Sequence, residues 1–467
     1  MVIMKKHRNS IFVLSIIAFL LISLACGSST AEQLASAVPD TQIPSQPSGN
    51  SPITEEAQSG QPTIASQIDQ PTLTPSPQPE PISLISQGLG QDGQELGFGF
   101  VIYNPNSSYA YESSQYQIAV YNAEGTVIET DSSYIELILP GQQLGIGGTL
   151  YLDEGVTASR IDVQINAGEA RVSDLSETFS VDKVTYVPDE YFPQVRGVIL
   201  NPYNKDITDL RVSAILYDDA GNIIGGGRTY LNFIKANNTT GISLSVSSNG
   251  NISRVDLFPT ISGLSDLASD NPLPEGASNL VLSKQGFGQD GEELGYGILV
   301  ENQNQNYVLE STMYHVTAYG EDDTVLGVSE GYIDTILPGQ ILGIGDNMYL
   351  DQGVIVSRID AQIKQGNFNA ANIIPSFTAE NATFLPDQYF PKVTGEIVSP
   401  YNKDVTNLRV TALAYNEAGD IIGGGYTYLD FIPANSKSAV SVSITVAGIP
   451  AKVELFATVS SLSDIEG

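Results

Sequence analysis

Residues able to do acid–base, metal or nucleophilic chemistry are scarce in this sequence. There are two histidines, His7 and His315, one cysteine, Cys26, and no tryptophan. Disulfides within one chain and Cys/His zinc sites are excluded by counting. Any Ser/His/Asp site beyond the N-terminal leader must take His315 as its base. Counting back from Tyr319 puts His315 in register with Gln117, Ser213 and Thr411, on the outward face of a strand. A solvated strand histidine is therefore expected there. Carboxylates are abundant, with 53 Asp and Glu against 20 Lys and Arg and a formal net charge of −33. So many acids guarantee neighbouring carboxylates, but no pair of them sits in a sequence context that suggests a buried, raised pKa for general-acid work. Asp218-Asp219, Glu321-Asp322-Asp323 and Asp153-Glu154 offer oxygens to calcium, but none has the D-x-[DN]-x-[DN]-G spacing. Gly88-Leu89-Gly90-Gln91-Asp92-Gly93, with its twin from Gly286 to Gly291, spells G-x-G-x-x-G. The residues after it alternate like a strand, whereas a dinucleotide site needs a helix, so a turn between strands is expected. So acidic a chain excludes nucleic acid as a partner. It reads as non-enzymatic, without metal or cofactor.

Aromatic residues beside polar turns remain as candidates for contact with a partner. They are Tyr191, Phe192 and Tyr203, with their repeats Tyr389, Phe390 and Tyr401. The plainer expectation for the same residues is packing between adjacent domains or at the end of a core.

The element that would position all of these is a hairpin used four times. Its clearest copy is LRVSAILYDDAGNIIGGG from Leu210; the others begin at Tyr116, Tyr314 and Leu408. Leu210, Val212, Ala214 and Leu216 alternate with Arg211, Ser213, Ile215 and Tyr217, the period of a strand with one buried face. Gly221 is free to take the positive φ that the loop requires. Two long copies align without a gap at an offset of 198 residues, Gln87 onto Gln285. Each is itself double, with an inner period of about 94 to 97 residues that suits one small sandwich. The expected fold is all-β: four tandem immunoglobulin-like β-sandwiches in two duplicated pairs. Their bounds are 82–167, 176–266, 280–365 and 374–467, with a linker at 267–279. Helical turns are allowed only at Gly168 to Glu177 and Asn367 to Ile374. Leu216-Tyr217-Asp218 followed by Ala220-Gly221 resembles the hairpin signature of the FxLYD family of bacterial extracytoplasmic domains. That resemblance implies an immunoglobulin-like sandwich with no catalytic activity. Ala214 stands where the family name expects Phe, and the third copy puts Asp323 at the turn glycine.

Lys5, Lys6 and Arg8 precede an apolar run from Ile11 to Leu24, the layout of a secretory signal over residues 1–25. Ser23-Leu24-Ala25-Cys26 resembles the lipobox of bacterial lipoproteins, which implies lipidation of Cys26; plain secretion or an uncleaved anchor is the alternative. Residues 26–81, rich in Ser, Thr, Pro and Gln, read as a disordered tether. The chain is then expected on the extracytoplasmic face of a bacterial membrane, lipid-anchored and monomeric. Its expected role is that of a surface interaction or spacer module with a protein or glycan partner. The alternative is an extracellular glycan- or solute-binding protein assisted by calcium.

Overall fold

A computed structural model describes residues 78–173, 177–265, 273–371, 375–460 and Ser463. The leader, Cys26, nearly all of the tether and the first half of the 267–279 linker lie outside the described residues. Every described regular element is a β-strand, and all pairings are antiparallel.

The first sandwich contains β1 (Ser83–Asp92), β2 (Glu95–Tyr103), β3 (Tyr109–Tyr121), β4 (Val127–Ile138), β5 (Gln143–Tyr151), β6 (Arg160–Asn166) and β7 (Glu169–Val172). One sheet runs β1-β2-β5; the other runs β4-β3-β6, with β7 also on β3. The second contains β8 (Ser180–Val187), β9 (Gln194–Leu200), β10 (Ile207–Tyr217), β11 (Ile223–Ile234), β12 (Thr239–Ser245), β13 (Ser247–Ser248) and β14 (Arg254–Thr260). Its sheets run β8-β9-β12 and β13-β11-β10-β14. The third repeats the first with β15 (Val281–Asp290), β16 (Glu293–Glu301), β17 (Tyr307–Tyr319), β18 (Val325–Ile336), β19 (Ile341–Tyr349), β20 (Arg358–Lys364) and β21 (Asn367–Ala370). The fourth repeats the second with β22 (Thr378–Leu385), β23 (Lys392–Val398), β24 (Val405–Tyr415), β25 (Ile421–Ile432), β26 (Lys437–Ser443), β27 (Thr445–Val446) and β28 (Lys452–Thr458). Each sandwich has its own apolar core between its two sheets. All four nevertheless belong to one compact unit, Pro75–Gly467.

Of the two segments expected to hold helical turns, residues 174–176 and 372–374 lie outside the described residues, and the described part of each forms a short strand instead. Residues 169–172 pair with β3 and residues 367–370 with β17. A free strand edge offers a row of unpaired N–H and C=O groups, which outweighs the weak helical preference of so short a segment.

Repeated motifs explain how the layers are closed. In Gln87-Gly88-Leu89-Gly90-Gln91 the two glutamines and Leu89 face inward, while the glycines face outward. Gln87 bonds the backbone of β6, accepting from Val163 N–H at 2.9 Å and donating to Ile161 C=O at 3.1 Å. Gln91 does the same just ahead of β6, with Ala158 N–H and Val156 C=O both at 2.8 Å. These side chains stand in for a backbone ladder between the two sheets. Gln285 and Gln289 repeat the arrangement in the third sandwich.

The outward glycines make the joint between the first two sandwiches. A methyl group at Gly90 would overlap the Ile224 carbonyl, one at Gly97 the Ser247 carbonyl, and one at Gly147 the Ala214 carbonyl. Gly226, from the Gly225-Gly226-Gly227 run of β11, meets the Phe98 carbonyl in the same way. Two sheets thus approach backbone to backbone, closer than side chains would allow. G-x-G-x-x-G is therefore a packing motif. Gly88 and Gly90 lie within β1 rather than in a turn, and Gly93 alone occupies the tight turn, at φ 58°. The joint also explains Ile215, an apolar residue on the face expected to be outward: it is buried with Val101, Tyr217 and Ile223 between the sandwiches. Strand β10 is consequently buried on both faces.

Candidate functional site

The hairpin turn is built locally. Asp218 accepts from Ala220 N–H at 2.9 Å and Asn222 N–H at 2.8 Å, and Gly221 takes φ 82°. Hydrogen bonds from the Asn222 side chain and backbone hold the Asp218 carboxyl below its ordinary range. In the third copy Asp323 adopts φ 62° and pairs with Arg358 at 2.7 Å. Next to each turn an arginine stacks on the hairpin tyrosine: Arg160 on Tyr121 at 3.7 Å, Arg254 on Tyr217 at 4.0 Å and Arg358 on Tyr319 at 3.8 Å. Lys452 takes that place over Tyr415 at 5.6 Å. The S-R-I-D and L-Y-D motifs are therefore two halves of one clasp. Asn104 likewise ties its loop by donating to Tyr109 C=O at 2.8 Å and Leu139 C=O at 2.9 Å. The recurrent motifs are thus taken up by structure, and among the described residues no group of three His, Cys, Asp or Glu side chains is arranged to hold a metal.

The aromatic candidates divide into two kinds. Tyr203 is half-buried, edge-on to Phe179 at 5.6 Å, and its hydroxyl donates to Glu177 C=O. Tyr401 packs against Phe377 at 5.2 Å. Both plug the end of a core. Tyr191 and Phe192, by contrast, stand out from the β8–β9 loop at 73% and 67% exposure, and Tyr389 and Phe390 from the β22–β23 loop at 74% and 75%. Each tip is held by an aspartate: Asp189 accepts from Tyr191 and Phe192 N–H, and Asp387 from Tyr389 and Phe390 N–H. These backbone bonds lower the pKa of both carboxyls. The turns are fixed while the rings remain in water.

His315 is on the outward face of β17, as its register implies, yet it is not solvated. It is fully buried because the second sandwich covers that face. Its ring lies edge-on to Phe233 at 6.4 Å, and Nε2 is 3.2 Å from Thr317 Oγ1. Around it Thr240 Oγ1 bonds Gln362 at 3.2 Å, and Gly241 N–H donates to Thr317 at 3.2 Å. Arg196 is paired with Asp351 through contacts of 2.6 and 3.2 Å. A covered imidazole without access to water cannot serve an exposed substrate as a base.

A polar site that the sequence reading did not single out is Arg211. It is 4% exposed, donates from Nη1 to Tyr134 C=O at 3.4 Å, and has no partner at Nε or Nη2. It borders a cleft of about 310 Å³ between the first two sandwiches, lined by Tyr134, Glu136, Tyr230 and Ser262 among others. Its repeat, Arg409, lies over Tyr426 at 4.4 Å and interacts with the carboxylate of Asp346. Burial raises the Asp346 pKa against the pull of Asn347 N–H and of Arg409. Gly148 stands where Asp346 does in the other pair, so Arg211 lacks that carboxylate.

Comparison with known proteins adds little to this geometry. No family model and no curated protein matches the chain. Among solved structures, Escherichia coli alpha-2-macroglobulin activated by porcine elastase aligns at 11% identity, over 81% of this chain and 44% of that one, with a TM-score of 0.13. The native conformation of the E. coli protein aligns at 10% identity over 80% and 28%, again at 0.13. The chain spans less than half the length of either. Such scores carry no functional argument. The multi-sandwich architecture rests on strand order and on the four cores.

Proposed function

We propose that this chain is a non-enzymatic extracytoplasmic lipoprotein, anchored through Cys26, whose four sandwiches form a spacer that presents interaction tips. The observation that supports this most is the disposition of the repeats. Glycine, glutamine, arginine and asparagine motifs all serve closure and joints, while the two aromatic tips, repeated at an offset of 198 residues from Tyr191 to Tyr389, stay in water. Large exposed rings on fixed turns lose little conformational freedom when a partner covers them. The test has two arms. Cys26→Ala should abolish fatty-acid labelling of the chain; continued labelling would remove the anchor from the reading. Changing Tyr191, Phe192, Tyr389 and Phe390 together to Ala should remove binding to envelope fractions or a glycan array without lowering the melting temperature. Undiminished binding would rule the tips out.

The second reading, binding of a solute or glycan, is favoured by the unpaired Arg211 at its cleft. A buried guanidinium without its carboxylate suits an acidic sugar. Calorimetry with oligouronates, with and without calcium, should then give one site per chain that Arg211→Met removes.

A further inference from the structure

The joint between the second and third sandwiches uses surfaces that also occur, uncovered, at the two ends of the described array. By the 198-residue repeat, the face that covers His315 recurs in the fourth sandwich, and the face that carries His315 recurs in the first. We propose that the fourth sandwich docks on the first sandwich of a second copy of this chain, repeating between chains the joint made within one. This deepens the interaction-module reading by naming one partner.

Exposure changes as that arrangement requires. Phe233 is 1% exposed in the joint, whereas its repeat Phe431 is 58% exposed. Thr317 and Gln362 are buried, while Gln164 is exposed and Ala119 half-exposed. The open face on β3, β4 and β6 forms a hollow of about 580 Å³ lined by Gln115, Gln117, Ser132, Tyr134 and Gln164 among others.

Substitutions between the repeats are matched across the interface. In the internal joint Gly241 lies against Thr317, and a methyl group at Gly241 would overlap the threonine Cγ2. The fourth sandwich has that methyl, as Ala439, and the first sandwich has lost the threonine branch, as Ala119. Thr240 on Gln362 becomes Ser438 on Gln164, which keeps hydroxyl and amide. The backbone N–H of Asn232 donates to the Glu330 carboxylate at 3.4 Å; at the open faces Asp430 keeps that N–H and Ser132 offers it a hydroxyl oxygen. The Arg196–Asp351 pair becomes Thr394 and Asp153, but Lys392 takes the place of Gln194, the neighbour that Arg196 also touches. The cation has moved two residues along the same face of the strand. Lys437, now paired with Glu396 at 2.7 Å, occupies the position of Thr239. Lys392 on the fourth sandwich thus stands opposite Asp153 on the first, in the place of the contact that Arg196 makes with Asp351 within the chain. The described residues hold one open face of each kind, so the contact is head to tail and extends to further copies unless its rotation closes a ring.

Sedimentation velocity of the full chain over a wide concentration range tests the proposal. Association that grows with concentration is expected, and Phe431→Asp should weaken it by tenfold or more. Ala119→Thr should weaken it too, because the new branch meets the Ala439 methyl. Adding Ala439→Gly to that variant should restore association by recreating the Thr317–Gly241 fit. All three changes lie on solvent-facing positions, and unchanged melting temperatures would exclude misfolding. A chain that stays monomeric at every concentration, or associates regardless of these changes, overturns the proposal. If such a monomer still binds envelope material through its aromatic tips, the interaction-module reading survives alone.

Discussion

Arg211 and Arg409 occupy equivalent places in the two pairs, yet their surroundings predict opposite responses to mutation. Arg211 is a buried charge with two unpartnered nitrogens, and Arg409 has Asp346 close by. A buried charge without a partner carries a desolvation cost that nothing repays, so an apolar side chain of similar volume in its place is often neutral or stabilising, whereas the half-buried Arg409 donates to Tyr332 C=O at 3.2 Å and is attracted by Asp346, contacts that its removal gives up. Arg211→Met should therefore leave the first pair as stable or more so, and Arg409→Met should destabilise the second. Thermal unfolding that ranks the two variants the other way would mean that Arg211 has a partner of its own. Leu216→Ala is a simpler case. Leu216 is fully buried in the second core, so its truncation should cost about 2 to 5 kcal/mol in urea unfolding. A change near zero would mean that the inner face of β10 is misassigned. The alternation around Leu216 is readable from sequence because it is local. The difference between the two arginines is not, since it depends on whether Gly148 or Asp346 arrives from a distant strand.

At the scale of elements, hairpins are legible and joints are not. A hairpin is specified by residues close in sequence, its period and its turn chemistry, and the turn at Gly221 follows from those alone. The outward face of β10 follows the same alternation, but β2 and β5 of the first sandwich cover it, more than fifty residues away in sequence. The same effect buries His315. Alternation identifies which face points outward, and only the tertiary arrangement decides whether water reaches it. The glycine motif illustrates the point. Gly93 is a turn residue by any reading, whereas Gly88, Gly90 and Gly97 are glycines because another backbone lies against them. Gly97→Ala should therefore cost about 1–3 kcal/mol through overpacking and loosen the first two sandwiches from one another. At Gly93 there is open space, and alanine should cost about 1–2 kcal/mol through its positive φ alone. Scattering would separate the two variants: only Gly97→Ala should expand the molecule. Equal expansion by both would argue against a backbone-to-backbone joint.

For the whole molecule, the duplicated pairs should part company in alkali. Burial, aided by Asp256, pushes the Tyr217 phenol up to about 12 from its ordinary 10.0. Burial raises Tyr415 still further, and it also raises Tyr296, Tyr314 and Tyr319. A folded-state pKa above the unfolded one means that the native chain keeps a proton which the unfolded chain gives up. The stability due to these phenols is complete below pH 10 and is lost as pH rises from there through the folded values, at up to about 1.4 kcal/mol per pH unit for each group. Four of these five tyrosines lie in the second pair, where Tyr296 also replaces Phe98 of the first. The third and fourth sandwiches should thus unfold at lower alkaline pH than the first and second. Urea melts at rising pH, read together with phenolate absorbance, would display a second-pair transition that moves first. Simultaneous loss of both pairs would mean that the joint at His315 couples them more tightly than either joint's own contacts suggest. In that case the same strength should be available to the copy of the joint left open at the ends.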